Sequence, residues 1–415
     1  MKLIFKQPFA VTVLLAAGTL LLCGQTLVGQ DEPNGEVAVA TESAKETDDA
    51  SGPEATESEA KEPAEPEPYE FTLHKSLDTT DVKSQGSTGT CWCFASTSFI
   101  ESELMRQEKG EFDLSEMFVV KNAYLNKAHN FLRRQGKTNF GQGALAHDFI
   151  RAASDHGLVP ESVYDGLDEG AEKHDHAEMF AVLNGMLDGL VKRRRLSDRW
   201  PTAFESVTAS YLGESPVEFS YEGKSYTPKS FAKHLGFNAD DYVNITSFSH
   251  QPFGKPFVLE IPDNFSSGLF ENVAIDDLVA TIDHAIESGY TVAWDGDVSE
   301  KGFSKSKGLA VLPAKDEKDF LKSPGKEIEV DQAMRQETFE EHSTTDDHLM
   351  HLTGIAHDQN GNKYYLIKNS WGEVGDHDGY LYMSEAYVRM KTVAILVHKD
   401  IFKKPSDSKE EAPKT

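Results

Sequence analysis

Four residues of this chain could together make and resolve a covalent acyl bond, and they come from two stretches far apart in sequence. The first stretch is Gln85-Gly86-Ser87-Thr88-Gly89-Thr90-Cys91-Trp92-Cys93-Phe94-Ala95. After Thr90 the apolar residues Ala95, Phe99, Ile100 and Leu104 recur at helical spacing until Lys109-Gly110 offers a stop, so Cys91 opens a helix. The unpaired amides and the macrodipole at a helix N-terminus stabilise a thiolate, the nucleophilic form of cysteine. Gln85 lies just upstream across a turn and could aim its side-chain amide at the same reacting atom as the Cys91 amide. The competing reading is a small apolar cysteine packed at a helix start.

The second stretch supplies what a thiol nucleophile lacks. His348-Leu349-Met350-His351-Leu352-Thr353-Gly354-Ile355 and Tyr364-Tyr365-Leu366-Ile367-Lys368-Asn369 read as strands, joined by a turn at Asp358-Gln359-Asn360-Gly361. Such a hairpin sets His348 beside Asn369 at its far end. A histidine can take the thiol proton while an amide oxygen orients the imidazole through its other N–H. Trp371 would shield that pair from water. His351, His357 and His377 compete for the role of base. His348 is preferred because it begins its strand after the polar run Thr344-Thr345-Asp346-Asp347.

The elements that must position these residues start near Tyr69. Asp113-Leu114-Ser115-Glu116 reads as a helix start with serine as the cap. Phe140-Gly141-Gln142-Gly143 approaches a helix containing Ala144, Leu145, Phe149, Ile150 and Ala153, closed by His156-Gly157. Glycine there permits either a tight turn or the close approach of a substrate backbone. Residues 188–200 read as an exposed helix and connection, and Thr227-Pro228 opens a short helix. Tyr242 to Ile245 reads as a strand, and residues 276–288 as an amphipathic helix running into a buried strand from Tyr290 to Trp294. Helices come first and strands later, with no internal repeat. That order predicts an α+β architecture with a helical layer facing a sheet.

Composition narrows the class. Lys2 and Lys6 precede an apolar run from Phe9 to Cys23, with Val28-Gly29-Gln30 beyond it, which is the layout of a secretory signal peptide over residues 1–29. It predicts an exported protein, periplasmic or extracellular. Lipid attachment at Cys23, and with it a membrane tether, is the lesser expectation, because Leu22 precedes it where a small residue belongs. Residues 30–68 are Glu, Ala, Pro, Thr and Ser with few large apolar groups and read as a disordered acidic linker. Residues 69–402 form the catalytic domain and 403–415 a charged, disordered tail. The net charge of −28 over 415 residues argues against nucleic acid or anionic membranes as partners. The run Lys192-Arg193-Arg194-Arg195 is read as a solvated helix face or turn. Beyond the leader only Cys91 and Cys93 remain, too close in sequence to pair well. An exported protein that keeps a cysteine at a helix start without a disulfide framework points to a reactive role. His174-Asp175-His176 alone is too little for a metal site, so no metal or cofactor is expected.

The Gln85…Gly89-Thr90-Cys91-Trp92…Phe94-Ala95 stretch resembles the active-site signature of papain-like cysteine peptidases, and Ile367-Lys368-Asn369-Ser370-Trp371-Gly372 resembles their asparagine motif. The long separation of Cys91 from His348, the absence of a cysteine at Thr88 and the inserted middle resemble the bleomycin hydrolases and bacterial aminopeptidase C. Leu114-Ser115-Glu116, the run from Gly157 to Tyr164 and Tyr380-Leu381-Tyr382-Met383 share that texture. The resemblance implies a papain-like fold, with a helical layer against an antiparallel, barrel-like sheet. It also implies Cys91 as nucleophile, His348 as general base and acid, Asn369 as orienting residue, and Gln85 with the Cys91 amide as oxyanion hole. Gly143, where Gln142 replaces a usual glycine, and Trp371 would face the substrate.

The resemblance implies hydrolysis of peptides from their N-termini through a thioester without a cofactor, and the family's hexamer is the implied assembly. The leader and the tail depart from the family pattern. The tail resembles no cleft-blocking arm, so an endopeptidase is the alternative. An inactive peptidase fold serving as a binding module is a second one, opposed by the intact Gln85, Cys91, His348 and Asn369 set. Cys93 is read as core.

Overall fold

Thr90 to Arg106 explains the architecture. Helix α1 (Cys91–Arg106) buries residues on every side, including the polar Ser96, Thr97, Glu101 and Glu103. A helix with no wet face must lie between layers, and its polar groups need internal partners. Most have them, Ser96 Oγ being the exception. Glu101 accepts from Thr80 Oγ1 at 2.5 Å and from the Leu114 amide at 2.8 Å, while Ser98 Oγ meets His351 Nδ1 and Lys368 Nζ, both at 2.9 Å. The computed structural model that shows this describes residues 67–167, 170–315 and 318–402. The expected signal peptide, nearly all of the linker and the charged tail lie outside the described residues.

Around α1 pack α2 (Glu116–Arg133) and α3 (Ala146–His156). The predicted serine cap is present, with Ser115 Oγ accepting from the Phe118 amide at 3.1 Å. Next come α4 (Ala177–Val191), α5 (Trp200–Leu212) and α6 (Pro228–Leu235). Within 188–200, read as an exposed helix and connection, the helix ends at Val191 and residues 192–199 form the connection. Four consecutive cations repel along one helix, and Pro201 is suited to a fresh first turn. The remaining helices are α7 (Ile275–Glu287), α8 (Gln332–Glu340) and α9 (Glu385–Lys391).

The longer strands, numbered in chain order, are β1 (Phe71–Ser76), β2 (Tyr242–Thr246), β3 (Val292–Gly296), β4 (His348–Asp358), β5 (Lys363–Lys368), β6 (Tyr380–Ser384) and β7 (Thr392–His398). They run β2-β7-β3-β4-β5-β6 across one sheet, all antiparallel neighbours. Short outer strands at Leu269–Asn272 and Leu309–Ala310 pair in parallel with β2 and β6, so the sheet is mixed only at its margins. β4 pairs with β3 along its first half and with β1 along its second, on the same edge, while β5 takes the other edge. A register shift between Leu352 and Gly354 bends it where the partners change. The β4–β5 turn closes on Asp358, whose Oδ1 accepts from the Asn360 and Asn362 amides at 2.9 and 2.8 Å.

One core joins α1, α2 and α3 to the sheet through Ala293, Leu349 and Leu396. The opposite face packs Trp294, Met350 and Tyr365 under α7 and α9. The expected α+β arrangement of a helical layer on a sheet therefore holds, with a further helical cover behind. The active residues lie where the start of α1 meets the start of β4.

Candidate active site

Cys91 is the first residue of α1 and is 8% exposed. Its sulfur faces the amides of Trp92 and Leu349, which places it beside the first peptide of β4. The loop before it is clamped from across the cleft. Gln142 Oε1 accepts from the Gly89 amide at 2.7 Å, and the Gln142 carbonyl accepts from Trp92 Nε1 at 3.0 Å. An added Cβ on Gly89 would press on Gln142 at 3.0 Å, which accounts for glycine there. Cys93 turns away, its sulfur 3.3 Å from the Glu116 carbonyl inside the core. Both cysteines are free.

His348 Nε2 lies 2.8 Å from Asn369 Oδ1. The same oxygen accepts from the Ser370 amide at 2.7 Å. An oxygen that already takes one N–H must be the acceptor for the imidazole too, so Nε2 carries the proton and Nδ1 keeps its lone pair. Nδ1 is thereby the base available to the thiol. Trp371 stacks on the imidazole with ring centres 4.6 Å apart at 23°, covering it from solvent. The other histidines are engaged elsewhere: His351 meets Ser98 beneath α1, His357 lies edge-on to His74, and His377 lies against Phe71 and Tyr382. Among the described residues no group of His, Cys, Asp and Glu is set to hold a metal. His176 pairs with Tyr124 Oη at 3.0 Å instead.

Gln85 is fixed from three directions. Its Nε2 donates to the Thr88 carbonyl at 2.7 Å, its Oε1 accepts from Ser370 Oγ at 2.7 Å, and its backbone N–H donates to the Ser370 carbonyl at 2.9 Å. One Nε2 proton remains for a developing oxyanion. Ser370 is the residue that motif reading passes over. It holds the orienting amide with its N–H and the oxyanion donor with its hydroxyl. Its only sequence signal is its place between Asn369 and Trp371.

Electrostatics alter one expectation. Burial pushes the Cys91 thiol up to about 12, with Asp346 and Asp295 adding to the rise and the Leu349 and Trp92 amides opposing it. Burial also holds His348 down to about 4 against its bond to Asn369. Burial thus opposes the charged form of both groups, against the helix terminus that favours a thiolate.

On the other wall, the Asp263 carboxylate abuts the Cα of Gly143, and Lys127 Nζ donates to the Gly143 carbonyl. The ledge opposite Cys91 therefore carries charge of both signs.

Comparison with known proteins agrees with this geometry. Residues 66–179 match the papain family cysteine proteases, and residues 208–414 match the peptidase C1-like family. Aminopeptidase C of Streptococcus thermophilus is 24% identical over 379 residues, covering 80% of this chain and 83% of its own. Aminopeptidase E of Lactobacillus helveticus is 24% identical over 368 residues, covering 78% and 82%. The crystal structure of PepW from Lactobacillus rhamnosis shares the fold with a TM-score of 0.64 at 22% identity, over 80% of this chain and 83% of that one. The chain belongs to the papain-like cysteine peptidases, in the bleomycin hydrolase-like group that includes aminopeptidase C.

Proposed function

We propose that this protein is an exported cysteine aminopeptidase that removes residues from the N-termini of peptides. The observation that supports the chemistry is the Cys91 sulfur, at the start of α1, facing the Leu349 amide, next in the chain to the His348 that Asn369 orients. As the sulfur attacks the scissile carbonyl carbon, His348 Nδ1 takes its proton. The Gln85 side-chain amide and the Cys91 N–H hold the oxyanion. His348 then gives the proton to the departing amine, and the C–N bond breaks to leave a thioester. A water molecule, losing its proton to His348, attacks the thioester carbonyl and releases the acid and the free thiol.

The restriction to N-termini draws support from the relatives named aminopeptidase C and E. Export rests on the leader-like pattern of residues 1–29. Hexamer formation and a lipid on Cys23 are further expectations, to be read from sedimentation and from the mass of the mature protein.

The test offers purified reduced protein fluorogenic aminoacyl substrates with a free amine, beside the same compounds N-acetylated. The Cys91→Ala variant serves as control. Cleavage confined to the free-amine set and lost in the variant is the expected result. Equal cleavage of the acetylated set would make the enzyme an endopeptidase. Cleavage surviving in the variant would overturn the mechanism.

A further inference from the structure

Beside the nucleophile, on the side away from Asn369, three segments deliver carboxyl groups to one place. Asp295 lies on β3 and is the register partner of Leu349, whose amide faces the Cys91 sulfur. Asp346 is in the loop entering β4, just before His348. Asp263 comes from the loop that presses on Gly143. Asp295 and Asp346 are close enough to Cys91 for their charge to act on the thiol.

These two groups lack donors other than one another. Asp295 is 3% exposed, yet neither of its oxygens receives an N–H or O–H, and Asp346 Oδ2 is likewise buried without one. The group facing Asp295 is Asp346 itself, so the two can pair only by sharing a proton. Asp347 is also near, as are Lys127 and, through Lys127, Asp148. Among the described residues Lys127 is the cation whose charge reaches Asp346, and its ammonium is already engaged by the Gly143 carbonyl. Leaving a buried acceptor unpaired costs stability, and more when the group is charged. A fold that carries this cost beside its nucleophile has acceptors placed for a donor that arrives with the substrate.

We propose that Asp295 and Asp346, with Asp263 at the rim, form the seat that receives the free α-ammonium of the substrate while Cys91 attacks the adjacent carbonyl. An N-terminal residue seated this way has its ammonium one bond beyond the Cα that carries the reacting carbonyl. The acid group flanking the sulfur therefore lies on the side where that ammonium must go. This rests on the aminopeptidase reading and adds the residues that impose it. The same chemistry would also suit a cationic side chain next to the scissile bond, and the experiment separates the two.

Kinetics of the wild type, Asp295→Asn and Asp346→Asn would use leucyl-aminomethylcoumarin and an N-acetylated dipeptide substrate with lysine beside the scissile residue. The alkylation rate of Cys91 by iodoacetamide reports an intact nucleophile in each variant. The expected result is a KM for the free-amine substrate raised at least tenfold in Asp346→Asn, with alkylation changed less than about threefold. In the wild type alone, leucine amide should inhibit at least tenfold more tightly than N-acetyl-leucine amide, a reading that needs no variant to fold.

KM values within twofold of wild type in both variants would overturn the seat even with the aminopeptidase reading intact. Equal inhibition by the two amides would overturn it as well. If the wild type cleaves acetylated substrates as readily as free ones, the aminopeptidase reading itself fails. Selective loss of the lysine substrate in the variants would then assign the acids to side-chain selection and overturn the α-ammonium seat.

Discussion

The two flanks of Cys91 are built on opposite rules. On the Asn369 flank each functional group has its partner before any substrate arrives. Asn369 Oδ1 takes two donors, Gln85 is held at both ends of its amide, and Ser370 joins them. On the Asp295 flank, buried carboxyl oxygens are left without donors. The contrast follows from what each side must do. Groups that act on the transition state gain by being oriented in advance, since no reorganisation is then needed during reaction. Groups that recognise a ligand cannot be satisfied beforehand without losing the ligand's share of the bonding. In the proposed seat, the orphaned oxygens of Asp295 and Asp346 mark where the substrate supplies the missing half.

The comparison is broken most severely on the paired flank. Gln85→Ala removes an oxyanion donor and should lower kcat by about 10²–10³-fold with KM little changed. Initial-rate kinetics on a free-amine substrate will show it. A drop confined to KM would mean that Gln85 binds the ground state instead. Ser370→Ala should cost less, roughly tenfold in kcat, because it removes only the hydroxyl that holds Gln85 and keeps the N–H that holds Asn369. In the Gln85→Ala background that loss should vanish, and full additivity in the double variant would refute the link.

How much of this was legible depends on where each signal sits in the chain. Cys91, His348 and Asn369 announce themselves because their neighbours form local motifs, and the hairpin that pairs the last two has its turn written in Asp358 to Gly361. The helix starts at Ser115 and Thr227 are also local, being set by capping serine and threonine side chains. Over residues 188–200 a helix and a connection were legible but not the break between them, because charge and helix propensity describe both equally well. The acidic seat had no signal at all. Asp263, Asp295 and Asp346 come from three segments, and only the register of β3 against β4 brings Asp295 alongside Leu349. The upward push on the Cys91 thiol was hidden for a similar reason, since desolvation is a property of the assembled layers and not of the helix terminus.

The two flanks should also titrate apart. His348 must be neutral to take the thiol proton and is held down to about 4, so kcat at saturating substrate should hold until pH falls toward 4. Asp346 is pushed up to about 7 by burial and by Asp263, and it must be ionised to attract an ammonium. The value of kcat/KM for a free-amine substrate should therefore fall as pH drops through about 7, by up to tenfold per unit, while kcat does not. A single limb shared by both parameters would show that one group governs both.

The smallest effect is one of stability, and its sign is the opposite of what a disrupted site would give. Burial raises Asp295 and Asp346 above their unfolded values, so folding must keep protons on groups that the unfolded chain releases. That penalty is absent below the unfolded carboxylate range, grows as pH rises through it, and for Asp346 levels off above about 7. Asp295→Asn removes one acid of the pair and supplies an N–H that can donate to Asp346. Its Tm should therefore exceed that of the wild type by about 2–4 °C at pH 8, the shift that roughly 1 kcal/mol makes in a domain of this order of size. At pH 5 the gain should be smaller. Thermal unfolding at the two pH values reads it directly. A variant that is less stable at pH 8 would mean that the carboxyl group is a structural partner in the fold, and the unpaired flank would lose its meaning. A variant that is more stable but slower on free-amine substrates would show the seat kept at the expense of the fold, because the ligand completes it.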